Sequence, residues 1–317
     1  MTIELIAGLF LLIVGAELLV RGASKLALAA GMTPLVVGLT VVAFGTSAPE
    51  FAVTFKGILD GASGVSTGNV IGSNIFNVLF ILGVSALAAP LVVHKEVVRI
   101  QVPIAVASTV VAFGLALDGT LGRVDGIILA VLAVGYVTYT VLQGRRETRD
   151  NKAAANDGRD DSPEQTPLQT LASVVMLLVG LGMLVFGADW LVEGAVAIAR
   201  DFRVSDFVIG VTIVAAGTSL PEVATSVMAA LRGQRDIAVG NVVGSNIFNI
   251  LVVLGGSAAL SPKDIAVPTN VLKADFPIML AVVCLLFPIV YTEHTISRWE
   301  AALLLLGYGG YVALLLV

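Results

Sequence analysis

The chain has 317 residues, 57% of them hydrophobic and 13% charged, with a net charge of −5. A soluble protein carries about twice that share of charge, and one globular core cannot hide this much apolar surface, so the chain belongs in lipid. The acidic balance offers a nucleic acid no basic surface.

Taken in chain order, apolar runs long enough to cross roughly 30 Å of hydrocarbon predict ten helices. They fall near 4–30, 34–58, 66–90, 97–117, 121–143, 168–199, 204–231, 236–260, 270–291 and 296–317. The runs are continuous, without the alternation of barrel strands, so the expected fold is an all-α integral membrane protein. The first run has no basic leader and carries Glu4 and Glu17, which reads as a membrane helix rather than a cleaved signal. Within the second run AFGTSAPEF sets Glu50 beside a proline, and the third carries GNVIGSNIFN. Gly144–Pro167, mixing charge, alanine and proline, cannot build a core and reads as a mobile hydrophilic linker. Beyond it the seventh run repeats the first motif as AAGTSLPEV with Glu222, and the eighth repeats the second as GNVVGSNIFN. His94 and His294 fall at helix ends and read as interfacial, and Cys284, the single cysteine, as an apolar filler.

The two halves superpose without a gap. GAELLVRGASKLA at 15–27 lies over GADWLVEGAVAIA at 187–199, GTSAPE at 45–50 over GTSLPE at 217–222, and the two GNV motifs start at 68 and 240. Each offset is 172 (187 − 15, 217 − 45, 240 − 68), and the match reaches Pro90 over Pro262, which points to a duplication. Five helices per half is an odd number, so the second copy enters the membrane upside down. The chain therefore divides into a first repeat at 1–143, a linker at 144–167 and a second, inverted repeat at 168–317. Cytoplasmic loops are enriched in Lys and Arg. With both termini outside, Arg21, Lys25, Lys95, Arg99, Arg145, Arg146, Arg149, Lys152, Arg159, Arg232, Arg235 and Arg298 fall on the cytoplasmic side with the linker. Lys56, Arg123, Arg200, Arg203, Lys263 and Lys273 fall outside. Equivalent positions change sign, as inversion requires: Arg21 corresponds to Glu193, and Asp60 to Arg232.

A carboxylate in mid-membrane costs several kcal/mol unless paired or hydrated, so Glu50 and Glu222 mark an ion path. The prolines beside them break the helical hydrogen bonding and free carbonyl oxygens. Asn69, Ser73 and Asn77 share one helical face, and Asn241, Ser245 and Asn249 share its copy. Oxygen donors without His or Cys select hard cations such as Na⁺, Ca²⁺ or Mg²⁺. Each Asn-Ser stripe taken alone serves equally well as packing between helices. Glu17 and Asp189, also matched by the repeat, read as structural rather than as part of an access path. The serines have no membrane histidine beside them and no metal-type His or Cys spacing exists, which argues against an enzyme.

The paired GTSAPE/GNVIGSNIFN and GTSLPE/GNVVGSNIFN motifs resemble the two α-repeats of the cation/calcium exchanger superfamily, closest to its prokaryotic Na⁺/Ca²⁺ exchangers, over essentially the whole chain. The resemblance implies a Na⁺/Ca²⁺ antiporter of the cell membrane working by alternating access, with ten helices, extracellular termini and no cofactor. Its partners are membrane lipid and the transported ions, with a monomer as the working unit. It implies a Ca²⁺ site of Glu50, Glu222 and the carbonyls of Thr46 and Thr218. Flanking Na⁺ sites would use Ala43, Ser47 and Ser73, and Ala215, Ser219 and Ser245, around a centre between Asn77 and Asn249. In the best-known archaeal exchangers the position of Asn249 is an aspartate, whereas here both halves have asparagine, as in many bacterial relatives, and the neutral residue bears on stoichiometry and proton coupling. The alternative implied activity is Ca²⁺/H⁺ antiport through the same glutamates.

Overall fold

In hydrocarbon every backbone N–H and C=O must find its partner inside the protein, so uninterrupted apolar runs coil into helices. The computed structural model describes residues 2–154, 166–202, 215–293 and 295–315. Helix α1 is Thr2–Ala29, α2 Pro34–Leu59, α3 Ser63–Ala88, α4 Val97–Asp118, α5 Arg123–Ala154 and α6 Pro167–Asp201. Helix α7 is Leu220–Leu231, α8 Arg235–Leu260, α9 Phe276–Glu293 after a π turn at Val271–Asp275, and α10 Arg298–Leu315. These are the ten expected positions. Residues 204–214 of the seventh run, with Arg203, Arg159 and His294, lie outside the described residues.

Helix α5 overruns its expected end. It continues through 144–154, the first part of the stretch read as linker, because RRETRDNKAA is rich in strong helix formers and holds no glycine or proline. At the far side of the linker, Thr166 caps α6 in a capping box with Gln169, and Pro167 takes the first helical position.

Inversion is visible in two small ladders. Strand β1 (Leu91–Val92, between α3 and α4) pairs antiparallel with β4 (Thr295–Ile296, between α9 and α10), and β2 (Thr120–Leu121) pairs with β3 (Ile265–Ala266). The equivalent loops α3–α4 and α8–α9 thus sit in different ladders, as they must if the copies face opposite ways. The π turns also obey the repeat, since Asn77–Ile81 and Asn249–Leu254 begin 172 residues apart.

Burial grades the helices. In α8, 94% of the apolar span is enclosed, in α3 78%, and in α5 only 28%, so α8 and α3 form the centre and α5 faces lipid with Val124, Ile127, Val131 and Val134 exposed. Helices α1 and α6 run antiparallel along one flank. A Cβ on Gly15 would stand 2.9 Å from the Gly180 carbonyl oxygen, and one on Gly187 2.9 Å from that of Gly8, so the two backbones approach as closely as small residues allow.

Candidate functional site

The two central helices each break beside a glutamate. Helix α2 stops at Thr46, Ser47 takes φ −80° and ψ 1°, and the helix restarts at Ala48 with Pro49 in its first turn. In the second repeat Ala215–Gly217 is helical, Ser219 takes φ −92° and ψ 7°, and α7 restarts at Leu220 with Pro221. Proline lacks the N–H that would continue the ladder, so each break leaves carbonyl oxygens at mid-membrane, three residues before Glu50 and Glu222.

The breaks are crossed between repeats. Ser219 donates to Glu50 Oε1 at 2.9 Å and Ser47 donates to Glu222 Oε1 at 3.4 Å, each serine serving the other repeat's carboxylate. The Ser219 hydroxyl also lies 3.4 Å from that of Ser73. Glu50 is 1% exposed and Glu222 fully enclosed, and they lie close enough for their charges to interact. Oε2 of each has no hydrogen-bond partner, nor do the Ser245 hydroxyl and both amide atoms of Asn77 and Asn249. Seven buried polar atoms left open around two carboxylates would be a heavy penalty in an ordinary core. Five of the seven are oxygens, the donor type a dehydrated hard cation would need in order to replace its hydration shell.

The structure gathers Glu50, Glu222, Ser47, Ser219, Ser73, Ser245, Thr46, Asn77 and Asn249 in the buried centre, with Ala43 fully buried one turn before Ser47. The backbone of Ala215 and Thr218 lies at the equivalent break. Asn241 has another task. Its amide donates to Ser226 Oγ at 3.0 Å, and the Thr46 hydroxyl lies 3.1 Å from its Oδ1, tying α8 to α7 and α2. Asn69, its copy, is only half-buried. Glu17 pairs with Arg21 and with Arg232, while Asp189 is exposed. His94 is exposed with Nε2 3.3 Å from Asp236, and Cys284 is a free thiol. The sequence reading did not single out Asn74 and Asn246. The Asn246 amide reaches the Asn74 carbonyl at 3.4 Å, joining α8 to α3, and their signal was present, both standing in the repeated GSNIFN. Among the described residues no group of three His, Cys, Asp or Glu forms a resident metal centre.

The family model for sodium/calcium exchanger proteins matches residues 2–142 and 172–317. The chain is 36% identical over 239 residues to inner membrane protein YrbG of Escherichia coli, covering 75% of this chain and 72% of that one. It is 32% identical over 300 residues to sodium/calcium exchanger MaX1 of Methanosarcina acetivorans, covering 85% of each. Its fold superposes on a solved structure of the sodium-calcium exchanger NCX_Mj with a TM-score of 0.83 at 30% identity, over 98% of this chain and 97% of that one. Two inverted five-helix repeats, paired glutamates at the helix breaks and a family match across both halves lead to one assignment: the chain belongs to the sodium/calcium exchanger family.

Proposed function

We propose that the chain is a multi-pass antiporter that exchanges Ca²⁺ for Na⁺ across the cell membrane by alternating access. The observation that carries this is the reciprocal pair of enclosed carboxylates, Glu50 and Glu222, each held by the other repeat's serine and each with one oxygen unsatisfied. Two negative charges are neutralised by one Ca²⁺ or by two Na⁺, so the two ions compete for one charge balance. Ca²⁺ would lie between the glutamates with the Thr46 and Thr218 carbonyls. Na⁺ would take flanking positions with Ala43, Ser47 and Ser73, and with Ala215, Ser219 and Ser245, around the Asn77–Asn249 centre. Hydroxyl, carboxylate and carbonyl oxygens suit both hard cations.

The linker between α5 and α6, with the basic residues around it, is assigned to the cytoplasm and the termini to the outside, with one chain as the transport unit. Radiolabelled Ca²⁺ uptake into proteoliposomes tests the exchange: uptake follows an outward Na⁺ gradient, reverses with it, and persists when any pH gradient is collapsed. Uptake that follows only the pH gradient would replace Na⁺ by H⁺ in this reading.

A further inference from the structure

Inversion gives every contact on the linker face a counterpart 172 residues away on the opposite face. On the linker face Arg232, at the end of α7, donates from Nε to Glu17 Oε2 of α1 at 2.7 Å. Glu17 is also paired with Arg21 one turn along α1. Its side chain is only 17% exposed against 53% for Arg232, so the carboxylate is held while the guanidinium closes over it. Helix α7 carries Glu222 and α1 lies along α6, so this ion pair ties the α1–α6 flank to the bundle that holds the site.

The opposite face has the reverse chemistry. The counterparts of Glu17, Arg21 and Arg232 are Asp189 (17 + 172), Glu193 (21 + 172) and Asp60 (232 − 172). Three carboxylates therefore stand at the positions that on the linker face hold one carboxylate and two guanidiniums. A second, deeper layer shows the same bias. Asn241 joins Thr46 and Ser226 across three helices on the linker side of the glutamates. Of its mirror set, the Asn69 amide nitrogen and the Thr54 hydroxyl have no hydrogen-bond partner.

We infer that Glu17 and Arg232 form an ionic latch that holds the exchanger closed on the linker face and favours the state open on the other. This rests on the alternating-access reading proposed above. In such a cycle a contact present in one state alone shifts the population of both, and with it the apparent affinity seen from each side.

The test uses full-length protein in proteoliposomes whose orientation is fixed by side-specific labelling. Glu17→Gln and Arg232→Gln are each expected to lower the half-saturating Ca²⁺ concentration on the linker face and raise it on the opposite face, by roughly two- to fivefold. The double variant should move no further than either single one, since the same pair between α1 and α7 is lost in all three and the Glu17–Arg21 pair lies within α1. Asp60→Arg, which places at the equivalent position the cation that Arg232 supplies on the linker face, should shift both values the other way. A readout free of ion flux accompanies these. In a Cys284→Ala background, a cysteine introduced at buried Ala230 should react faster with an impermeant thiol reagent from the linker face when the latch is removed. Equal changes on both faces, or labelling at the parent rate, would overturn the latch. Loss of Na⁺-driven flux in the parent would overturn the exchange reading, while the labelling would still decide the latch.

Discussion

Glu50→Gln and Glu222→Gln each remove one of the two charges that offset the desolvation of a divalent ion, so each should leave under about a tenth of parental Ca²⁺ flux. Retention of half the flux in either variant would remove these residues from the site. The serines differ in reach: Ser219 approaches its glutamate to 2.9 Å and Ser47 to 3.4 Å. Ser219→Ala should therefore cost more apparent ion affinity than Ser47→Ala, as measured by Na⁺ and Ca²⁺ half-saturation. Asn249 bears on the charge balance. With neutral amides at 77 and 249 a third Na⁺ leaves a net +1 in the centre, tolerable only where dipoles spread it, and the unpartnered Ser245 hydroxyl and amide oxygens of Asn77 and Asn249 can do so. Three Na⁺ per Ca²⁺ should then make exchange electrogenic, and Asn249→Asp should keep it while adding pH sensitivity near neutrality. A flux balance point independent of clamped membrane potential would mean two Na⁺ per Ca²⁺ instead.

Among the elements, the α1–α6 pair and the linker-side extension of α5 are the most exposed to test. A side chain at Gly187 meets the Gly8 carbonyl and the α1 backbone at 2.9 Å, and backbone cannot step aside as a flexible side chain can. Gly187→Val should lower thermal stability by about 1–3 kcal/mol and slow transport, whereas Gly182→Ala on the same helix, with open space at its Cβ, should do neither. Glu96 precedes α4 and meets Glu147 of α5; burial, then the neighbouring carboxyl, push it up to about 7. A carboxyl raised in the folded state stabilises it while protonated, so the contribution is full below the ordinary carboxylate range and fades as pH rises through about 7. The melting temperature should fall between pH 6 and pH 8 in the parent and fall less in Glu96→Gln; equal slopes would show that this pair does not govern the end of α5.

For the whole molecule, the sequence determined the architecture because lipid leaves little choice. Ten apolar runs must be helices, an offset of 172 must be a duplication, and an odd number of crossings must invert it. The glutamates were legible for the same reason, since an ionisable group in mid-membrane has few uses besides carrying ions. The end of α5 was misplaced because a charged, alanine-rich run is both a good helix and a good linker, and hydropathy does not separate them. The repeat also predicted equivalence that folding did not deliver. Asn69 and Asn241 are identical in sequence, yet Asn241 is enclosed in a three-helix hydrogen-bonded tie and Asn69 is not. Likewise the change of sign between Asp60 and Arg232 reads from sequence only as a sidedness signal. Its partner, Glu17, lies 215 residues away. Spacing along a helix fixes which residues share a face; which helix meets that face, and at what depth, is set by packing. The tertiary structure alone therefore decided that each serine serves the other repeat's glutamate and that two copies of one motif stand in different surroundings.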